Sequence, residues 1–486
     1  MKKIFISAFA ASVLMFTYSC NTDFENDVTS VAVSKGNADF SKYVALGNSL
    51  TSGYRDGALY VDAQNESYPS MIAAQMKLAG GGEFKQPLMA DNLGGITGVL
   101  NNKLVLAVGA DGSLGPVVAS GTGATTLASI YGSGPYQNMG VPGAKSFHLV
   151  ANGYGNLAGV QAGKANPYFV RFASSGTTSV LKDAMDQKPT FFSLWIGNND
   201  VLSYATSGGS GKDQKGNLDP STYGSNDITD PNVYASVIKS ILDGMKAVGA
   251  TKGVIANIPN VTSIPFFTTV PAKPIAGLTD AQVSALNTAY GQYNGGLAMA
   301  KAGGLITDAE YQSRLIKFTA GAVVNGAVIE DKDLTNLSAL GLPSYRQTTA
   351  SDFILLTTAG ALKTGGGTQT PLKDAQVLTV KETARVTAAT TAYNTSLAQL
   401  ASAYGLALVD ANSKMVEMSA GSGLQFDGVK YTTTFVTGGS FSLDGVHLTG
   451  RGYAIIANEF IKAINATYGS SLPKVEVNKY SGVTFP

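Results

Sequence analysis

Apolar residues recur along this chain in two rhythms. The first is a set of short continuous runs, Tyr43–Leu46, Phe191–Ile196, Gly253–Ile258 and Leu406–Val409, each closed by Gly47, Gly197, Pro259 or Asp410. Runs of that length, rich in Val, Ile, Phe and Tyr and ending in turn residues, read as buried strands. The second rhythm is helical. Met71, Ala73 and Ala74 follow Pro69, which suits the first turn of a helix over Tyr68–Met76. Tyr234, Val237, Ile241, Met245 and Val248 recur at intervals of three and four between Pro231 and Gly249, and Tyr453, Ile456, Phe460 and Ile464 do so in Gly452–Tyr468. A further helix is expected from about Glu382 to Tyr404. Strands alternating with helices predict parallel pairing and a three-layer α/β sandwich.

Two stretches depart from that alternation. Residues from about 80 to 135 are rich in Gly, Ala and Ser and contain Lys103–Val108, which predicts an insertion carrying a small hairpin. Lying before a glycine-rich turn, it is where selectivity for a ligand is expected. Residues from about 262 to 380 hold helical pieces at Asp280–Ala302 and Asp308–Phe318, an apolar piece Phe353–Leu356 and three glycines at 365–367. This reads as a second, larger insertion over the rim of the site: a lid, a glycan-binding surface or a docking face. A polar loop is expected from Ser207 to Asp230.

The chain has 486 residues, enough for a substantial core, and a net charge of +1, which gives no electrostatic case for nucleic acid or an anionic membrane surface. Charged residues are 14%, below the roughly 25% of average chains, and glycine is abundant, which suits an extracytoplasmic protein with long polar loops.

At the amino terminus, Lys2 and Lys3 precede an apolar stretch from Ile4 to Phe16, short for a membrane span and suited to a secretory signal. Cys20, the one cysteine, follows at once, so an internal disulfide and a thiolate metal cluster are excluded. Its position resembles a bacterial lipoprotein signal in residues 1–20, with Cys20 as the lipidation site, although the leucine usual before it is missing. The run Asn21–Asp27 resembles the export tags of surface lipoproteins in the Bacteroidetes. Residues 21–40 are then a tether, residues 41–486 the folded domain, and the location an outer-membrane lipoprotein of the cell envelope.

The candidate chemistry begins at Ser49, the first reactive side chain after the Tyr43–Leu46 run. A serine there, at the opening of a helix, sits beside N–H groups able to meet an oxyanion. It needs a base, and of the two histidines His447 lies in Asp444-Gly445-Val446-His447. An aspartate three residues before a histidine can orient the ring and leave its other nitrogen to take a serine proton. Taken alone, the same stretch also reads as a helix entrance capped by Thr449. Phe191–Asp200 ends in Gly197, Asn198 and Asn199, and Asn138–Ala144 forms a glycine-rich turn; both can supply hydrogen-bond donors. His148 has no acidic neighbour and reads as a buried or surface histidine.

In chain order, the Gly-x-Ser-Leu, Asn-x-x-x-x-Gly, Gly-x-Asn-Asp and Asp-x-x-His stretches resemble the four blocks of the SGNH/GDSL hydrolases. The resemblance implies a flavodoxin-like fold with a mostly parallel central sheet, Ser49 as nucleophile, His447 as base and Asp444 as its orienting acid. It implies an oxyanion hole of Ser49, Gly143 and Asn199, with Gly140 an alternative to Gly143. Asn48 stands where the family usually has aspartate, which alters local hydrogen bonding and removes no triad member. The implied activity is carboxylic ester hydrolysis on acetyl or acyl esters of glycans or lipids, without metal or other cofactor and with membrane contact only through a lipid at Cys20. The alternatives are an acyltransferase on the same triad and a non-catalytic glycan-binding surface lipoprotein.

Overall fold

Five parallel strands form the centre of the protein, whose computed structural model describes residues 32–109 and 112–486. The expected signal in residues 1–20, Cys20 and the first part of the tether lie outside the described residues. In chain order the elements that position the site are β1 (Tyr43–Gly47), α1 (Ser49–Ser52), α2 (Tyr68–Leu78), a hairpin of β2 (Leu104–Val108) and β3 (Leu114–Val118), and β4 (Asn138–Gly140). They continue with β5 (Phe191–Trp195), α3 (Asn199–Thr206), α4 (Pro231–Ala247), β6 (Lys252–Ala256), α5 (Val380–Tyr404), β7 (Ala407–Val409), α6 (Ala411–Ser419) and α7 (Gly450–Tyr468).

The sheet runs β7-β6-β5-β1-β4. Counted along the chain this is the 2-1-3-4-5 order of a doubly wound sheet, in which the direction of winding reverses next to the first strand. The step from β1 to β4 goes one way and the steps through β5, β6 and β7 go the other, so right-handed crossovers put helices on both faces. α2 packs with α7, while α4 packs with α5 and α3 with α5. β1 and β5 are buried along their whole length, as expected for strands covered on both sides.

The helices end where the local chemistry dictates. Asp230 caps α4 by accepting from the N–H groups of Asn232 and Val233, with Pro231 in the first turn. Thr379 and Glu382 close a reciprocal capping box at the start of α5, and Gly405 in the left-handed region ends it. In α4 the buried stripe is Val233, Tyr234, Ile238, Ile241, Leu242 and Met245. Val237 and Val248, expected inside, are half-buried because they lie at the margin of that stripe.

Several expectations need correction. The tether was expected through residue 40, but Ala38 and Phe40 are buried and the Phe40 ring packs edge-on against Phe191 at 5.0 Å, so the folded part begins earlier. An apolar side chain within reach of the sheet overrides the polar residues around it. The helix expected over Asp280–Ala302 is two helices, Asp280–Ala289 and Gly291–Ala302, interrupted at Tyr290, and that expected over Asp308–Phe318 stops at Arg314. Beyond Arg314 the chain turns inward so that Ile316 and Phe318 join the insertion's own core with Leu286, Tyr293 and Leu297. That insertion also buries Arg346 against Asp331 at 2.6 Å and Asp352 at 2.8 Å.

Candidate active site

The carboxyl end of β1 leaves little room. A side chain at Gly47 would come within 2.5 Å of the Trp195 carbonyl oxygen on β5, so glycine lets the two strands stay paired as the chain turns. Asn48 follows, fully buried, and caps α1 by accepting from the N–H of Leu50 at 3.0 Å; its own amide donates to the Asn198 side chain at 3.4 Å. An aspartate could cap equally well but could not donate to Asn198 when ionised. Ser49 is therefore the first residue of a helical turn, where the N–H has no intrahelical acceptor. Its side chain is nearly buried, at 6% exposure.

The loop that carries Asp444 and His447 closes on itself. The Ser442 N–H donates to the His447 carbonyl at 2.8 Å, Phe441 pairs with Leu448, and Thr449 then caps α7. The sequence allowed two readings of this stretch, and a helix entrance and an imidazole-bearing loop are present together. His447 Nε2 lies 2.8 Å from Ser49 Oγ, and Nδ1 lies 2.9 Å from Asp444 Oδ2. Nδ1–H donating to the carboxylate leaves Nε2 as acceptor for the serine hydroxyl.

Asp444 is held by more than the histidine. It accepts from the N–H groups of Val446 and His447 at 2.8 Å, from Gly57 N–H at 3.0 Å and from the Ser442 hydroxyl at 3.1 Å. Burial pushes its carboxyl up, but the imidazole and these donors outweigh burial and hold it well below the usual carboxylate range. The Tyr54 ring leans against the His447 ring, centroids 4.7 Å apart, and restricts its swing.

Opposite the serine, two other segments meet. β4 runs alongside β1, and the Val141 N–H donates to the Gly47 carbonyl at 3.0 Å, so the turn that follows borders α1. Gly140 N–H is taken by the Asn138 side chain at 3.1 Å, which removes it as a free donor. Gly143 is exposed and left-handed at φ 81°, and its N–H has no partner among the described residues. Asn199, at the start of α3, gives one amide hydrogen to the Ala144 carbonyl at 2.9 Å and retains a second. Behind it the fully buried Asp200 accepts from the Ser146 N–H at 2.8 Å and its hydroxyl at 2.6 Å.

His148 stands apart, in the 3₁₀ turn Ser146–Leu149. Its Nδ1 accepts from the Lys145 N–H at 3.1 Å and its ring stacks on Tyr154 at 4.6 Å. Burial, with the nearby Lys145 ammonium, pushes its pKa down to about 4, so at neutral pH it is uncharged.

A pocket of about 60 Å³ opens beside Ser49, Asn199 and His447. Its walls include Leu50, Trp195, Val261, Ile264, Met415 and Met418. Selectivity was expected from residues 80–135, but none of them lines this pocket; Met89 and Ile96 pack instead in a cluster with Tyr54, whose ring leans on His447. Sequence reasoning missed α6, although Ala411, Met415 and Met418 at intervals of four and three were a legible helical stripe. The 262–380 insertion reaches the site through Ile264 and through Phe266, whose N–H donates to the Gly445 carbonyl at 2.9 Å and braces the loop carrying His447. Among the described residues there is no cluster of three or more His, Cys, Asp or Glu suited to a metal ion, and no helix long and apolar enough to cross a membrane. Compared with known protein families and with curated proteins, the chain matches none.

Proposed function

We propose that this chain is a serine esterase of the SGNH/GDSL type, cleaving carboxylic esters with Ser49, His447 and Asp444. The observation that carries the reading is the unbroken hydrogen-bonded line from Ser49 Oγ through His447 to Asp444. His447 takes the Ser49 proton as the oxygen attacks the ester carbonyl, and Asp444 stabilises the imidazolium. The oxyanion is met by the N–H groups of Ser49 and Gly143 and the spare amide hydrogen of Asn199, each such donor contributing about 3–4 kcal/mol. His447 returns the proton to the leaving alcohol. It then deprotonates water, which attacks the acyl-enzyme and frees Ser49 with release of the acid.

No metal or cofactor enters this scheme. The chain would reach a membrane only through a lipid on Cys20. The test is labelling by a fluorophosphonate, which bonds to an activated serine: the wild-type protein is expected to label at Ser49 and Ser49→Ala not at all. A wild-type protein that stays unlabelled while correctly folded would overturn the reading.

A further inference from the structure

The pocket beside Ser49 separates the candidate substrates, and the argument rests on the esterase reading above. Its walls are mostly aliphatic, aromatic or thioether, with Asn48, Asn198, Asn199 and Lys414 as the polar exceptions beside Ser49 and His447. Away from the spare amide hydrogen of Asn199, which is assigned to the oxyanion, the Trp195 indole N–H donates to the Asn257 carbonyl at 3.1 Å, the Lys414 ammonium is paired with Glu417 at 2.6 Å and Glu459 at 3.1 Å, and the Asn48 amide is turned to Asn198 at 3.4 Å. A sugar ring placed there would leave its hydroxyls without partners, which disfavours it.

The two halves of an ester also differ in what they need from a pocket. The acyl half stays bonded to Ser49 through the second step, whereas the alcohol must depart and let water approach His447. A pocket that adjoins the serine and is lined by the buried Trp195 of β5 and Ile456 of α7 suits the half that stays.

Volume sets the length. A 150 Å³ apolar cavity is known to take benzene, with six carbons, so about 60 Å³ takes roughly two or three. We infer that the pocket walled by Trp195, Val261, Met415 and Met418 binds the acyl chain of the ester beyond its carbonyl carbon, and that the preferred substrates carry short apolar acyl groups of roughly three or four carbons. Each methylene it buries raises kcat/KM by about fourfold until the pocket is full. Methionine walls adapt to shape, so Met415 and Met418 set where the series breaks.

The experiment compares kcat/KM on p-nitrophenyl acetate, butanoate, hexanoate and dodecanoate, and on ethyl butanoate against butyl acetate. Butanoate is expected to exceed both acetate and dodecanoate by about tenfold, and ethyl butanoate to exceed butyl acetate. Met418→Ala is expected to move the optimum to longer chains. Trp195 is the chain's single tryptophan, so the fluorescence of Ser49→Ala reports occupancy without turnover, with butanoate saturating and acetate not. An enzyme fastest on acetate or dodecanoate, or preferring butyl acetate, overturns the inference and leaves the esterase reading standing. No turnover of any ester, with a Ser49 inert to fluorophosphonate, overturns both.

Discussion

The side-chain amide of Asn199 donates to the carbonyl oxygen of Ala144 at 2.9 Å. That bond, with the paired contacts of Asp200 to Ser146, fastens the start of α3 to the turn carrying Gly143. The two donors proposed for the oxyanion thus belong to one rigid unit although they come from different strand ends. Fixed donors need no reorganisation when charge develops, and this is the physical basis of the catalysis proposed here.

Asn199→Ala is expected to lower kcat by about 10²- to 10³-fold with little change in KM, because the amide acts on the oxyanion and not on the bound ester. Steady-state kinetics on p-nitrophenyl butanoate checks it; a change confined to KM would count against the role.

Ser146→Ala removes a 2.6 Å hydrogen bond to the buried Asp200 carboxylate and is expected to cost about 1.5–3 kcal/mol of stability, read by urea denaturation. It is also expected to lower kcat more than KM, and less in an Asn199→Ala background than alone. Equal losses in both backgrounds would separate Ser146 from the oxyanion site.

Asp444→Asn leaves most of the loop's hydrogen bonds possible but removes the charge that fixes the His447 tautomer. A loss of about 10⁴-fold in kcat is expected by analogy with triad enzymes. The ionised Asp444 also stabilises the fold. Its carboxyl lies below its unfolded value, so this stabilisation is complete above roughly pH 4 and is lost as pH falls through the folded value. The variant should therefore lose less stability than the wild type on acidification below pH 4; parallel denaturation curves would contradict this.

His148 gives a second, separate dependence on pH. Its pKa is about 4 in the fold against 6.5 when exposed, so between those values the unfolded chain binds more protons and stability rises with pH. The span corresponds to at most about 3 kcal/mol, gained between pH 4 and 6.5. His148→Gln, which keeps an acceptor for the Lys145 N–H, should flatten the stability curve over that window in urea titrations. An unchanged slope there would show that other groups carry it.

Much was legible because it is local. Gly47 after an apolar run, Pro231 before a helical stripe and Thr449 before another are decisions made within a few residues, and the structure follows them in β1, α4 and α7. The break at Tyr290 and the early end at Arg314 were not legible, because there the insertion's own core, built from distant residues, outweighs helical spacing. The burial of Ala38 and Phe40 is of the same kind: nothing near them in sequence announces the sheet edge they cover.

The sequence by itself determined where most of the central strands and helices lie and marked the candidate residues of the site, since side-chain periodicity and turn chemistry act over short distances. Only the tertiary structure decided that Ser49 and His447 share a proton across 398 positions of chain. It also decided that Gly143 rather than Gly140 keeps a free N–H, and that α6 walls the pocket. Those outcomes depend on which strands lie side by side at the point where the winding reverses, a choice made by burial summed over the whole chain.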